Sequence, residues 1–131
     1  MGLELRMSGD MREWYEIYDA LPPEAQTGGV SNTLHPDKHN MGPGDAFWTG
    51  LYLKGESDLL ACHCVRLLRI RSFVDEIVSG RLFNSVTPAV DWQRTELLLE
   101  EAPPLSGNVA FGGGLWVHPR MRGLDENGNR R

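Results

Sequence analysis

The sequence predicts a mixed α/β domain, and the prediction rests on the order of its apolar patterns. An early segment has helical spacing, two strand-like segments joined by a turn come next, and a second helix and a final strand follow. Helices and strands that alternate in this way are typical of α/β and α+β domains rather than of bundles or sandwiches. A chain of 131 residues is long enough for one such domain with a modest core.

The first predicted helix is Met11–Leu21, in which apolar side chains recur at helical spacing. Ser8 and Asp10 are candidate N-caps, and the Pro-Pro pair at the other end stops the helix. Residues 23–45 are dense in Gly, Pro, Asn and Asp. That composition predicts a long loop with room for one short helical turn, and long loops in compact domains are usually functional or mobile.

A β-hairpin is predicted next. Its strands are Ala46–Leu53 and Asp58–Leu68, and Lys54–Ser57 is the turn between them. Because side chains alternate across a strand, four side chains of the first strand are expected on one common face. These are Phe47, Thr49, Leu51 and Leu53.

The rest of the chain predicts a helix, an ambiguous element and a strand. Ser72 caps a predicted helix over Phe73–Phe83. The segment Val90–Leu105 has spacing that suits a helix, and its run TELLLEE also suits a strand. Two prolines and a Ser-Gly pair then precede the last predicted strand, Val109–Val117.

Composition argues against several classes of partner. A formal net charge of −5 disfavours a nucleic-acid surface, which must neutralise phosphates. No apolar run approaches the roughly 18 residues of a membrane helix, and no secretory signal pattern is present. Cys62 and Cys64 lie on one strand face, where they are poorly placed for a disulfide. These observations predict a cytoplasmic protein without nucleic-acid or membrane partners.

The sequence predicts no metal site. Cys62-His63-Cys64 contains ligand types that zinc prefers, but alternation sends His63 to the face opposite the two thiols. Zinc needs about four converging ligands, and there is no second cysteine pair. His35 and His39 are separated by four residues, but Pro36 makes their segment a loop. Two buried thiols on a core strand are the expected arrangement.

The end of the last predicted strand is the strongest candidate for a binding site. After Val117 the chain turns at Pro119 and reaches Arg122-Gly123, a bend expected to present successive backbone N–H groups. Such a bend is able to hold a phosphate, and Arg120 and Arg122 would add charge-assisted contacts. The alternative is a glycine-rich turn with solvated arginines, and the residues alone leave both open.

The run GGLWVHPRMRG resembles the central motif of the GNAT superfamily, the acyl-CoA-dependent N-acyltransferases. The specific part of the resemblance is Leu115–Gly123, and the order of the upstream helix and hairpin is compatible with it. The resemblance implies a GNAT-like, mixed and mostly antiparallel sheet flanked by helices, in one domain spanning residues 1–131. It also implies that the C-terminal half of that fold is lacking, so that the chain is expected to be an incomplete domain.

The resemblance further implies acetyl-CoA, or another acyl-CoA, as co-substrate and a small-molecule or peptide amine as acyl acceptor. The pantetheine arm would pair along the last strand, and the pyrophosphate would lie on the loop after it. The implied cofactor-binding residues are Leu115, Trp116, Val117, Arg122, Gly123, Leu124, Asp125 and Gly128. The candidate bases are Glu96, Glu100 and Glu101, and no residue is assigned as catalytic.

A second hypothesis comes from the last predicted strand itself. If no further strand covers it, its exposed edge is an adhesive surface. The chain would then be a non-enzymatic α/β interaction module that forms a homodimer through that edge, without any cofactor.

Overall fold

The computed structural model describes residues 2–79, 81 and 106–123, and within them the chain has a mixed α/β fold. Four strands form one antiparallel sheet in the order β1-β2-β3-β4. They are β1 Leu3–Ser8, β2 Ala46–Leu53, β3 Ala61–Ile70 and β4 Gly107–Val117. The described helices are α1 Met11–Asp19 and α2 Phe73–Val78, and two short 3-10 helices span Asn32–Leu34 and Pro119–Met121. The α/β prediction is confirmed at this level.

Strand β1 is the element that the sequence prediction missed. It pairs antiparallel with β2, from Leu3 opposite Leu53 to Ser8 opposite Trp48. The other differences concern boundaries. The returning hairpin strand is Ala61–Ile70 rather than Asp58–Leu68. The turn before it is closed by two hydrogen bonds, from the N–H of Glu56 to the carbonyl of Leu53 and from the N–H of Leu60 to the carbonyl of Leu51.

Helix α1 forms where predicted and ends two residues early, at Asp19. Asp10 is its N-cap: one carboxylate oxygen accepts hydrogen bonds from the backbone N–H groups of Arg12 and Glu13, each at 3.1 Å. Met11, Trp14 and Tyr18 are its buried residues, so the helix presents a single apolar stripe to the sheet.

The core lies between α1 with its following loop and one face of the sheet. Alternation along β2 and β3 sends Trp48, Tyr52, Cys62 and Cys64 into this core. The opposite face of β2 carries the four side chains predicted to share a face, which confirms that part of the prediction. The indole N–H of Trp48 donates to the carbonyl of Asp10 at 3.0 Å, which fixes the start of α1 on the sheet.

The long loop between α1 and β2 is confirmed, and its single short helical turn is Asn32–Leu34. Thr33 and Leu34 are completely buried. The guanidinium of Arg66 on β3 donates to the carbonyl of Thr33 at 2.8 Å, so this hydrogen bond holds the loop against the sheet. Its mid-section is therefore part of the core layer.

The Ser72 cap is also confirmed, because its hydroxyl accepts from the amide of Asp75 at 3.3 Å. The helix after it ends at Val78, earlier than the predicted Phe83. The ambiguous segment Val90–Leu105 lies outside the described residues. Within the described residues, neither α1 nor α2 has the length and apolar character needed to cross a bilayer.

Candidate functional site

The last strand, β4, has a bulge close to its end. Cys62 on β3 pairs with Trp116, and Cys64 pairs with Gly113, so two residues of β4 stand opposite His63 alone. One of the two is Gly114, whose φ is +63°. An extra residue on one strand bends that strand and increases its local twist, and glycine is the residue that accepts a positive φ at low cost.

Close packing at the bulge also requires glycine. A Cβ atom on Gly114 would lie 2.9 Å from the sulfur of Cys64 and 3.0 Å from Cζ2 of Trp14. A Cβ atom on the preceding Gly113 would lie 3.1 Å from Cδ1 of Leu34. The glycine run therefore allows the backbone of β4 to approach α1 and the loop directly. Consecutive glycines inside a strand pattern are a sequence signal for such a bulge.

Beside the bulge is a cavity of about 190 Å³. Trp14 and Tyr18 of α1 form one wall, Thr27 and Val30 of the following loop form another, and Gly114 lies on the β4 side. The Tyr18 hydroxyl donates to the carbonyl of residue 28 at 2.8 Å, which holds the loop against the helix. The lining of the cavity is polar and apolar in nearly equal parts, with the aromatic rings on the α1 side, and the cavity has the size of a small acyl group or amine.

The outer edge of β4 faces no other described strand, because β4 ends the strand order. Its final residues, Leu115 to Val117, begin with the second residue of the bulge. Leu115 has 73% of its surface exposed, whereas Trp116 has only 2%. The predicted pantetheine-pairing residues are therefore together at an open strand edge next to the cavity, with the Trp116 side chain directed into the core.

The bend after Val117 differs from the expectation of successive free amides. The N–H of His118 donates to Leu60 O at 2.7 Å, and the N–H of Arg120 donates to the ring nitrogen Nδ1 of His118 at 3.1 Å. The amides of Met121 and Arg122 donate to carbonyls of His118 and Pro119, at 2.8 and 3.2 Å. Because Pro119 has no N–H, residues 118–122 offer no unbonded amide to an anion in this conformation.

Arg122 is placed differently from its predicted role as well. Its Nε donates to the carbonyl of Val117 at 2.6 Å, and its Nη2 donates to the carbonyl of Ala25 at 3.2 Å. The indole N–H of Trp116 donates to the same Ala25 carbonyl at 2.9 Å. The guanidinium thus joins the bend to the loop after α1, and Arg120 is left as the exposed guanidinium of the bend.

Several predicted residues lie outside what the structure describes. Gly123 is described and has a φ of +65°, which suits a turn. Leu124, Asp125 and Gly128 of the predicted cofactor loop lie outside the described residues, as do the candidate bases Glu96, Glu100 and Glu101. Their roles stay predictions.

Comparison with known proteins adds no relative. No family model, no curated protein and no solved structure matches the chain. The likeness to N-acyltransferases therefore remains a prediction based on Leu115–Gly123.

A larger cavity, of about 520 Å³, lies at the first turn of α1. Asp10 and Arg12 line one side, and Pro36 and His39 of the loop line the other. Burial and the positive charge of Arg66 lower the pKa of His39, which favours the neutral imidazole. Its Nε2 is buried and has no hydrogen-bond partner among the described residues. No predicted cofactor-binding residue lines this cavity.

The described residues contain no cluster of three or more His, Cys, Asp and Glu side chains suited to a metal ion. Cys62 and Cys64 are free thiols, and both are buried. Burial raises the pKa of each thiol, and in Cys64 the neighbouring Cys62 raises it further. The indole N–H of Trp14 and the backbone N–H of Trp116 lower the pKa of Cys62 and so partly offset the effect of burial there. Neither thiol is poised as a nucleophile, because the thiolate is the reactive form.

We expect both thiols to resist modification in the folded protein. Titration with DTNB should release almost no chromophore from native protein and two equivalents after unfolding in urea, because burial hinders access and raises the pKa of both thiols. Rapid reaction of either thiol in the native state would contradict their placement under α1. The rate of thiol modification should fall as the free energy of unfolding rises, because a buried thiol reacts only after the protein opens.

Proposed function

We propose that this chain is an acyl-CoA-dependent N-acyltransferase domain that transfers an acyl group, such as acetyl, to an amine. The observation that carries the proposal is the bulged, open outer edge of β4 beside an aromatic cavity. The residues that resemble the family motif, Leu115–Gly123, form the end of that strand and the bend after it.

The open edge suits a pantetheine arm. Pantetheine contains two amide groups, and an extended amide chain is able to pair with an unpaired strand edge as an added strand. The backbone groups of Leu115 and Val117 would supply the donors and acceptors, apart from the Val117 carbonyl, which already accepts from Nε of Arg122. The bulge at Gly114 turns the strand where the thioester would lie, and the cavity wall formed by Trp14 and Tyr18 would exclude water from the acyl group.

The proposed reaction is direct transfer. The neutral amine attacks the thioester carbonyl carbon, a C–N bond forms and the C–S bond breaks. Coenzyme A leaves as a thiolate, which takes up the proton that the amine loses. A backbone N–H at the bulged end of β4 would stabilise the oxyanion that develops on the carbonyl. No described side chain is assigned as base, and a bound water is sufficient for an amine that is partly neutral.

The diphosphate needs a different contact from the one that the sequence predicts, because the amides of residues 118–122 are bonded within the protein. Among the described side chains of the bend, the exposed guanidinium of Arg120 suits the task. The cofactor-binding roles predicted for Arg122, Gly123 and the residues after them belong to the same proposal. The proposal also includes a cytoplasmic location, which two free thiols support.

Calorimetric titration with acetyl-CoA and with CoA tests the proposal, followed by release of CoA thiol in the presence of a panel of small and peptide amines. We expect binding and amine-dependent thiol release. Arg120→Glu should weaken binding by about tenfold or more, since a charge-assisted contact contributes about 1.5–3 kcal/mol. Arg71→Glu is the matched control, because Arg71 is an exposed arginine between β3 and α2 and should bind acetyl-CoA like wild type.

Two outcomes would contradict this assignment. Absence of heat with either ligand at millimolar concentration would remove the cofactor. An equal loss of acetyl-CoA affinity in Arg120→Glu and Arg71→Glu would show that only the overall charge of the protein matters, and that Arg120 is not part of a specific binding site.

The second hypothesis, an interaction module without a cofactor, is favoured by the same open edge together with the closed bend. An unpaired strand edge recruits another strand as readily as it recruits pantetheine. Hydrogen exchange with and without acetyl-CoA separates the two functions. Under the enzyme proposal an acyl-CoA protects the amides of Leu115–Val117 from hydrogen exchange. Under the module hypothesis a strand of a protein partner protects them and acetyl-CoA has no effect.

A further inference from the structure

His39, in the loop between α1 and β2, is a titratable group that the proposed function does not use. Its ring lines the cavity of about 520 Å³, but its Nε2 atom is buried and has no hydrogen-bond partner among the described residues. A neutral imidazole occupies such a position at a modest cost, whereas an imidazolium without a partner is strongly disfavoured. The packing around Nε2 therefore favours the uncharged ring.

A proton on His39 would add a second positive charge beside Arg66. The Arg66 guanidinium is half-buried on β3, and its charge acts on the His39 ring. Asp45 and Glu76 act on the Arg66 charge from beyond ion-pair distance, and the Asp45 carboxylate is already paired with Arg69 at 2.9 Å. An imidazolium at His39 would therefore bring two cations together at a place where solvent screens them weakly.

The other charged groups around His39 belong to α1 and to its own loop. Asp10 and Arg12 line the α1 side of the same cavity. In the loop, Asp37 is paired with Arg12 at 2.6 Å, and Lys38 precedes His39 in the chain. The cavity is large compared with an imidazole ring, and the Asp10 carboxylate lies across it from His39. It therefore offers an imidazolium both room for water and a carboxylate, which the buried position of Nε2 does not.

We propose that His39 is a pH-sensitive contact: protonation of its ring in mild acid moves the imidazolium away from Arg66 into the cavity and releases residues 35–41 from β3. The N–H of His39 donates to the His35 carbonyl at 3.1 Å, so a displacement of His39 is passed to the whole turn. The hydrogen bond from Arg66 to the Thr33 carbonyl holds the preceding residues in place. Because the turn forms one wall of the cavity, the cavity changes shape with pH.

The direction of the pH effect follows from the surroundings of the ring. Burial and the charge of Arg66 lower the pKa of His39 from its ordinary value of about 6.5. Above that value the ring is neutral whether the turn is closed or open, and the closed turn has its full stability. Below it the open turn takes up a proton that the closed turn does not, so the closed turn loses stability as the pH falls. Asp37 and Asp45 titrate at lower pH, since hydrogen bonds from arginines lower the pKa of both carboxyls.

This inference does not depend on acyl transfer, because no residue of Leu115–Gly123 lines the cavity beside His39. The proposed function uses the outer edge of β4, whereas the pH-sensitive contact joins β3 to the loop before β2. Failure of one proposal therefore leaves the other unaffected, and the two are tested by different measurements.

Amide hydrogen exchange, followed by NMR between about pH 7.5 and about pH 5.5, tests the contact. The amides of Lys38 and His39, which both donate to the His35 carbonyl, report on the turn. The amide of Leu60, which donates to the Leu51 carbonyl at 2.8 Å, is the internal reference. After correction for intrinsic exchange, the opening constant of the turn should rise by up to about tenfold per pH unit below about 6.5, because one proton is taken up. The reference should not change.

His39→Gln removes the titrating ring, so the opening constant of the turn should become independent of pH in this range. His63→Gln is the matched control, because it removes a histidine of β3 that pairs opposite Thr49, and it should keep the wild-type pH dependence.

A second measurement needs no variant of His39. In wild type, the Cε1 proton of His39 should titrate at a midpoint below about 6.5. In Arg66→Gln that midpoint should move up toward the ordinary value, since the neighbouring charge is gone. A midpoint at or above about 6.5 in wild type, or an opening constant that does not change with pH, overturns the proposal. Unchanged pH dependence in His39→Gln overturns it as well, and would point to His35, whose Nδ1 accepts from the Asp37 amide at 3.1 Å.

Discussion

Replacing Gly114 with alanine should destabilise the fold by about 2–4 kcal/mol, because two separate costs fall on the same residue. The first cost is conformational: the φ of Gly114 is +63°, a region that side chains with a Cβ disfavour. The second is steric: the new methyl carbon would be 2.9 Å from the sulfur of Cys64 and 3.0 Å from the Trp14 ring. Both of those side chains are fully buried, so neither is free to move away.

Gly112→Ala is the matched control. It adds the same methyl group to the same strand two residues earlier, where the nearest contact is Nε2 of the half-exposed His63 ring at 3.2 Å. That ring is able to rotate, so the loss should stay within about 1 kcal/mol. Urea unfolding followed by tryptophan fluorescence measures both values. Equal midpoints for the two variants would mean that the bulge does not exist, because an unbulged strand would treat both positions alike.

The same bulge shows what sequence patterns are able to specify. Helix α1, the long loop and β2 follow from local signals: a capping Asp10, apolar spacing, glycine and proline density, and strict alternation. Those signals act within a few residues of chain. The GGG run also carries a local signal, yet the register shift that it produces depends on Cys62 and Cys64 of another strand. A bulge is a property of a pair of strands.

Strand β1 illustrates a different reason for a missed element. Its sequence, LELRMS, alternates as a strand should, but its apolar residues lie on the face opposite α1, and the guanidinium of Arg6 lies over the Tyr52 ring. The strand exists because it pairs with residues about 45 positions later in the chain, from Leu3 opposite Leu53 to Ser8 opposite Trp48. Six residues of alternation are too short a pattern to indicate that distant partner.

The bend after β4 was predicted from residue types, and residue types do not reveal which acceptors a donor meets. An Arg-Gly pair after a strand suits a phosphate site and suits a self-satisfied turn equally well. The structure uses His118 twice within the turn, through its ring nitrogen and its carbonyl. It also uses Ala25, which is more than 90 residues away from Trp116 and Arg122. Contacts at such separations come from the packed fold.

Truncation of Trp116 should destabilise the fold by more than Gly114→Ala does, by about 3–5 kcal/mol for Trp116→Ala. Only 2% of this side chain is exposed. Its ring packs edge-on against Tyr18, with centroids 6.5 Å apart, and against His118, with centroids 5.7 Å apart. The residue therefore links β4, α1 and the bend, and its removal leaves a large cavity at the point where the three meet. Chemical unfolding at neutral pH measures the loss.

Trp116→Phe separates packing from hydrogen bonding at this position. The phenyl ring keeps most of the apolar contact and loses the indole N–H that donates to the Ala25 carbonyl. That carbonyl still accepts from Nη2 of Arg122, so it is not left unsatisfied, and we expect a loss of only about 1–2 kcal/mol. In the Arg122→Lys background, where the planar guanidinium is absent, the same Trp116→Phe change should cost more than in wild type. Strict additivity of the two substitutions would show that Ala25 is not the shared acceptor. The loop after α1 would then be held to β4 by packing alone.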